Sequence, residues 1–215
     1  MIRYLLEFVK EERYADDLLN GRLFMHCAKY YHDIENRFGL GRGDLREGSL
    51  FPNTAIYRNI YFPIYCTYMI KDEDIIGGHV LIDNRIIDDF DCKKGYAVII
   101  PFEPFEEALT TADTGGYRMD GVEVWYSFPT QEDIGKMFSS DDALNLRVKH
   151  PYFRYQKEYR LIVFRNIYKD NFSACLLEER TYSCYLKNSI SGFAIKVPIS
   201  IIQKTDAGYL LDIHA

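Results

Sequence analysis

The sequence predicts an α+β domain: a bent, mainly antiparallel mixed sheet with short flanking helices, spanning residues 1–215 as a single unit. Three observations predict it. β-forming runs with two-residue alternation recur from the start of the chain to its end. The helical stretches between them are short and are stopped by Gly or bounded by Pro. No internal repeat, low-complexity tract or linker rich in Pro, Gly or Ser divides the chain.

The elements follow in order. Ile2 to Val9 reads as a first strand, and Glu11 to Asn20 as a short helix with Tyr14, Leu18 and Leu19 on one side. Gly21 stands where a helix ends in a left-handed residue. Arg22 to Cys27 is a second strand, followed by a helical turn with Tyr30, Tyr31 and Ile34 and a Gly-rich loop from Gly39 to Gly48. Thr54 to Arg58 and Phe62 to Ile70 are strands, the latter with Pro63 near its start, where a missing N–H is tolerated. Gly95 to Ile100 is a strand closed by Pro101, and Pro104 to Leu109 a helix with Pro in its first turn. Tyr117 to Tyr126 alternates around Val122, Val124 and Tyr126, and Thr130 opens a helix with Glu132 and Asp133 in its first turn. Strands Tyr159–Phe164, Ser173–Leu177, Ser183–Leu186, Phe193–Val197 and Tyr209–Ile213 complete the chain.

Composition narrows the function classes. The 215 residues carry a net charge of −6, which argues against bulk neutralisation of nucleic-acid phosphates. The acidic runs Asp72-Glu73-Asp74, Asp88-Asp89-Phe90-Asp91 and Glu106-Glu107 read as solvated faces. Eighteen Tyr and 14 Phe stand against one Trp, an aromatic excess suited to shallow pockets and partner surfaces. Five scattered cysteines form no C-x-x-C pair, so no zinc ribbon is expected, and Cys66 and Cys175 read as small core residues. No secretory leader pattern opens the sequence, and no apolar run reaches membrane-spanning length. The expected setting is cytoplasmic, without membrane association, with reduced thiols.

Two segments carry candidate chemistry. In Tyr155-Gln156-Lys157-Glu158-Tyr159-Arg160, strand alternation puts Glu158 and Arg160 on one face and Tyr159, Leu161 and Val163 on the other. The pair is either a strand-end salt bridge or a carboxylate held at a cleft, fit to stabilise a positively charged transition state. The loop Gly39 to Gly48 sets Arg42, Asp44, Arg46 and Glu47 among glycines that permit close backbone approach to a phosphate or ribose. It matches neither the Walker loop nor the dinucleotide fingerprint, and its plain alternative is an exposed turn with Asp44 and Arg46 paired. The histidines show no metal-ligand spacing and no metal is expected. His26, ending the second strand, is either half-buried and satisfied or a ribose ligand. A metal-dependent nuclease on Asp44, Glu47 and Glu158 ranks last, because its lysine would be Lys157, which points away from Glu158.

The order of these motifs resembles a known group. Leu18-Leu19-Asn20-Gly21, the Arg-Gly-Asp-x-x-Glu-Gly loop at Arg42 to Gly48, Phe62-Pro63-Ile64-Tyr65 and Gln156-x-Glu158-Tyr159-Arg160 follow one another along most of the chain. This resembles a group of bacterial and phage proteins sharing that loop and a late Glu-Tyr-Arg strand. More distantly it resembles the DarT group of DNA-targeting ADP-ribosyltransferase toxins. The opening strand departs from that group: Tyr4-Leu5-Leu6-Glu7-Phe8 lacks its histidine.

The resemblance implies an ADP-ribosyltransferase-like split sheet and NAD as the group donor. It also implies a macromolecular target, protein or nucleic acid, in conflict between phage or mobile element and host. Glu158 would take the catalytic carboxylate position and Arg160 would orient it. Arg42 or Arg46 would hold the pyrophosphate, and Tyr65 and His26 the nicotinamide side. On that reading Glu158→Gln is expected to abolish activity with stability almost unchanged. The competing class is a non-enzymatic inhibitor of a bacterial defence complex, of anti-defence or anti-CRISPR type. It would bind through Asp72-Glu73-Asp74 or Asp88-Asp89-Phe90-Asp91 and nearby tyrosines, independently of Glu158.

Overall fold

A computed structural model describes residues 1–31, 61–89, 91–127, 146–165 and 181–213. The elements are β1 (Ile2–Val9), α1 (Glu12–Leu19), β2 (Arg22–Cys27), β3 (Pro63–Lys71), β4 (Ile75–Ile76), β5 (His79–Ile82), α2 (Asn84–Asp89), β6 (Tyr96–Pro101) and α3 (Phe102–Leu109). They continue with β7 (Met119–Glu123), β8 (Trp125–Tyr126), β9 (Val148–Lys149), β10 (Glu158–Val163), β11 (Thr181–Tyr185), β12 (Ile195–Pro198), β13 (Gln203–Lys204) and β14 (Tyr209–Asp212). The class is α+β, as the sequence predicts. Every pairing among these strands is antiparallel except the short parallel contact of β8 with β9. Among the described residues no helix is long and apolar enough to cross a membrane.

An eight-stranded sheet forms the middle layer. On one face α1 and α3 lay Ala15, Leu18 and Phe105 against Leu5, Tyr65, Tyr159 and Leu161. The other face packs Leu6, Tyr68 and Ile99 against Val80, Ile82 and Leu211 of a four-stranded sheet and against Ile86 and Ile87 of α2. That smaller sheet begins with a two-residue hairpin. Gly77 and Gly78 take φ of 58° and 83° between paired Ile76 and His79, the positive-φ pair that a tight hairpin turn requires.

Several boundaries differ from the sequence reading for physical reasons. The run Tyr117 to Tyr126 is broken, because β7 pairs with β10 whereas Trp125 leaves to pair with Val148. Tyr14 is exposed, and α1 buries Ala15 and Leu18 instead. Hairpin β4–β5 and helix α2 are not foreseen, since their strands are too short to show alternation. Thr54–Arg58, the helix from Thr130 and Ser173–Leu177 lie outside the described residues.

Candidate functional site

The site begins with a fork in the main sheet. β1 and β2 pair with the same edge of β3, β1 from Lys71 to Tyr68 and β2 at Ile64 and Pro63. Between these contacts, β3 residues 65–67 have no strand partner on that edge among the described residues. Past Leu6, β1 stays paired to β6 alone, from Glu7 opposite Val98 to Val9 opposite Tyr96. The opposite edge of β3 remains covered by β10, from Glu158 at Tyr68 to Ile162 at Ile64. The gap opens a cleft of about 230 Å³, lined by residues that include Glu7, Tyr31, Cys66, Lys149, Glu158 and Arg160.

Local structure aims β10 into this cleft. The chain arrives through a 3₁₀ turn, Pro151–Gln156, and Lys157 then takes a left-handed conformation with φ of 38°. That reversal lets the residues on either side of Lys157, Gln156 and Glu158, both reach one cation. Lys149 Nζ donates to Gln156 Oε1 at 2.6 Å and to Glu158 Oε1 at 2.5 Å. The second carboxylate oxygen is held by Arg160, whose Nε and Nη2 lie 2.8 and 2.7 Å from Glu158 Oε2. Arg160 Nη1 donates to the Leu146 carbonyl at 2.8 Å, and the Glu158 N–H donates to the Tyr126 hydroxyl at 2.8 Å. Lys157 itself turns away to pair with Asp74.

The three charged groups are buried: Lys149 is 4% exposed, Glu158 8% and Arg160 1%. Burial alone would raise the Glu158 carboxyl. The Arg160 and Lys149 charges and their hydrogen bonds overcome that and lower it to about 2. Lys149 and Arg160 both bind the one carboxylate at the head of β10. Such cations at a cleft wall are of the kind that contact an anionic ligand.

The other wall carries a carboxyl of opposite character. Glu7 is half-buried on β1, and desolvation at the base of the cleft pushes it up to about 8, with the Tyr65 hydroxyl opposing the shift. Tyr65 is buried in the core under α1 and α3. No ion pair joins Glu7 to a described cation. At neutral pH the cleft therefore holds an ionised Glu158 and a largely protonated Glu7.

The sequence-derived residues fare differently. Glu158 and Arg160 share a face as predicted, but as part of a buried triad rather than an exposed strand-end bridge. Tyr65 lies in the core under α1 and α3 with Tyr159 and Leu161, on the face opposite Glu158, and is not among the residues lining the cleft. His26 is set back from the lining: it stacks on Tyr30 with ring centroids 3.7 Å apart and meets the edge of Tyr31, which does line the cleft. Cys66 is partly buried: it packs against the cluster of Ala28, Ile64, Leu146 and Ile162 and also lines the cleft. Arg42, Asp44 and Arg46, together with Glu47 and Cys175, lie outside the described residues. Gln156 stands in the Gln-x-Glu motif without an assigned role, and Lys149, Glu7 and Tyr31 are not singled out for the site. Of these three only Glu7 carries a signal, as a lone acid in an otherwise apolar strand segment.

The acidic runs are less available than their sequence suggests. Asp72 pairs with the Met1 amino group and Arg3, and Asp74 with Lys157. Asp88 pairs with Lys93 and Asp91 with Lys10. Comparison with protein-family models, curated proteins and solved structures returned no match.

Proposed function

We propose that the chain is an NAD-dependent ADP-ribosyltransferase acting on a macromolecule, with its donor site in the cleft at the sheet fork. The observation that carries this reading is the buried Lys149–Glu158–Arg160 triad facing a fork in the sheet, with Glu158 in the Gln-x-Glu position that the resemblance implies. The residues fit the donor in kind. Lys149 and Arg160, both on the cleft lining, are of the kind that contact a pyrophosphate. At about 230 Å³ the cleft falls below the usual 300–1,000 Å³ of ligand sites, room for one half of a dinucleotide. In the transfer, the bond from the ribose C1′ to the nicotinamide nitrogen breaks and its electron pair leaves with nicotinamide. A nucleophile on the target then bonds C1′. In this reading Glu158 is the carboxylate that would offset the positive charge on the sugar, and Arg160 the residue that orients it.

The test uses a charge-balanced variant, because removing Glu158 alone takes from two buried cations the carboxylate they share. Glu158→Gln combined with Arg160→Met deletes the carboxylate together with one cation and keeps Lys149. The expected result is retained NAD binding, with transfer of labelled ADP-ribose to protein or nucleic acid in a bacterial extract reduced at least about 100-fold. Equal labelling by variant and wild type would contradict the role of Glu158.

The inhibitor reading is favoured by one observation. Trp125 and Tyr152 are 53% and 60% exposed, and both belong to segments flanking the triad. Exposed aromatics of this kind suit a protein interface. On that reading, Trp125→Ala and Tyr152→Ala weaken partner capture while Lys149→Met does not.

A further inference from the structure

The turn that feeds β10 has a backbone conformation that side chains resist, and the side chain that adopts it is tied down. We infer that Asp74 is a positioning residue for Glu158: by anchoring Lys157 in its left-handed turn, it sets the Glu158 carboxylate between Lys149 and Arg160 at the cleft wall. The consequence for transfer rests on the role given to Glu158 above; the placing of the carboxylate does not. Glycine takes a left-handed φ freely, whereas a residue with a Cβ takes it at a cost. Among the described residues only Asp91 and Lys157 combine a side chain with such a φ, and Lys157 stands at φ of 38° and ψ of 52°. What lysine supplies here and glycine lacks is an anchor. Lys157 Nζ lies 2.5 Å from Asp74 Oδ1. Asp74 is itself fixed, since its other oxygen, Oδ2, accepts from the Lys71 N–H at 3.0 Å.

The anchor joins the turn to the end of β3. The Lys157 carbonyl accepts from the Met69 N–H at 2.7 Å, and the Lys157 N–H donates to the Arg154 carbonyl at 3.2 Å. With the Lys71 contact, backbone and side chain together tie the turn to Met69 and Lys71 of one strand. That strand runs on to Tyr68, which pairs with Glu158 in register. Pairing with β3 thus fixes the Glu158 backbone, and the turn fixes the angle at which the chain enters β10. Once the anchor is lost, the turn relaxes toward negative φ, and Gln156 and Glu158 no longer both reach Lys149 Nζ. The ion pair is 38% exposed at Lys157 and 19% at Asp74, so its own contribution to stability is small and its effect lies in geometry. A side chain held in a costly backbone conformation next to a reacting group is the pattern expected of positioning strain.

The experiment follows the Glu158 side-chain carboxyl carbon by NMR in the full chain, from about pH 5.5 down to about pH 3, with the amide resonances of β1 and β3 reporting an intact fold. It compares wild type with Asp74→Asn, Lys157→Ala and Lys157→Gly. The groups facing Glu158, which are Lys149, Arg160, Tyr68 and Glu7, are the same in all of them. Wild type is expected to titrate little in this range, and Asp74→Asn to show a midpoint raised by about one unit. The direction is diagnostic, because loss of the Asp74 charge alone would lower the Glu158 carboxyl. A merely structural ion pair would move stability and leave this titration where it is. Lys157→Ala and Lys157→Gly remove the same charge, so the higher midpoint is expected in alanine, glycine taking the turn unaided. Transfer of labelled ADP-ribose is expected to fall about tenfold in Asp74→Asn and Lys157→Ala and to stay within about threefold of wild type in Lys157→Gly. A midpoint unchanged or lowered in Asp74→Asn overturns the positioning role, as do equal midpoints in the alanine and glycine variants. The expected midpoints without transfer by any of the proteins uphold the positioning role and overturn the transferase reading.

Discussion

Glu158→Gln is expected to destabilise the fold by about 3 kcal/mol, against the sequence-based expectation that it would be nearly neutral. The reason is the company Glu158 keeps. Lys149 and Arg160 are buried on its two oxygens, and removing the carboxylate takes away the anion that both cations share. The same coupling predicts acid sensitivity. The folded carboxyl is held at about 2, below its ordinary value, so its contribution is complete above about pH 4.5 and fades as the pH falls toward 2. Urea unfolding at neutral pH measures the effect. An unchanged midpoint would mean that the triad is open to water and contributes little.

Glu7→Gln is expected to act in the opposite direction and stabilise the fold. In the unfolded chain Glu7 ionises near its ordinary value, whereas in the fold it holds its proton until about pH 8. Between those points the folded state binds more protons than the unfolded state, so wild-type stability declines as the pH rises. The full shift corresponds to about 4 to 5 kcal/mol, and water at the cleft mouth offsets part of it, leaving about 2 kcal/mol at pH 8. Gln cannot ionise, so the variant gains this amount at pH 8 and nothing below about pH 4.5. Urea unfolding of both proteins at about pH 5 and about pH 8 reads the difference directly. Equal stability at the two values would show that Glu7 ionises normally and is well solvated. Paired with the Glu158 result, the signs separate a carboxyl that supports the fold from one kept at its expense.

The local elements were legible in the sequence because their signals are local. β1 and β2 follow their predicted bounds, Ile2–Val9 and Arg22–Cys27, and Gly21 takes the left-handed conformation with φ of 88° expected after a helix. The face shared by Glu158 and Arg160 follows from strand alternation alone. The fork does not, because it depends on two strands distant in sequence meeting one edge of β3. Lys149 was illegible for the same reason. It precedes the His150-Pro151 step with no pattern around it, and its meaning comes from a turn that folds it onto Glu158 nine residues later. Glu7 was within reach. An acid between Leu6 and Phe8, in a strand whose neighbours are apolar on both faces, has nowhere uncostly to sit unless it opens onto a cleft.

The account turns on a nucleotide site at the fork, and calorimetric titration of wild type and Lys149→Met with NAD tests it most directly. Lys149→Met removes one cation from the cleft wall and leaves the Glu158–Arg160 pair intact, so the fold is expected to survive. The predicted result is saturable binding by wild type and at least about tenfold weaker binding by the variant, matching the loss of one charged phosphate contact. Equal affinities, or no binding by wild type at about millimolar NAD, would contradict it.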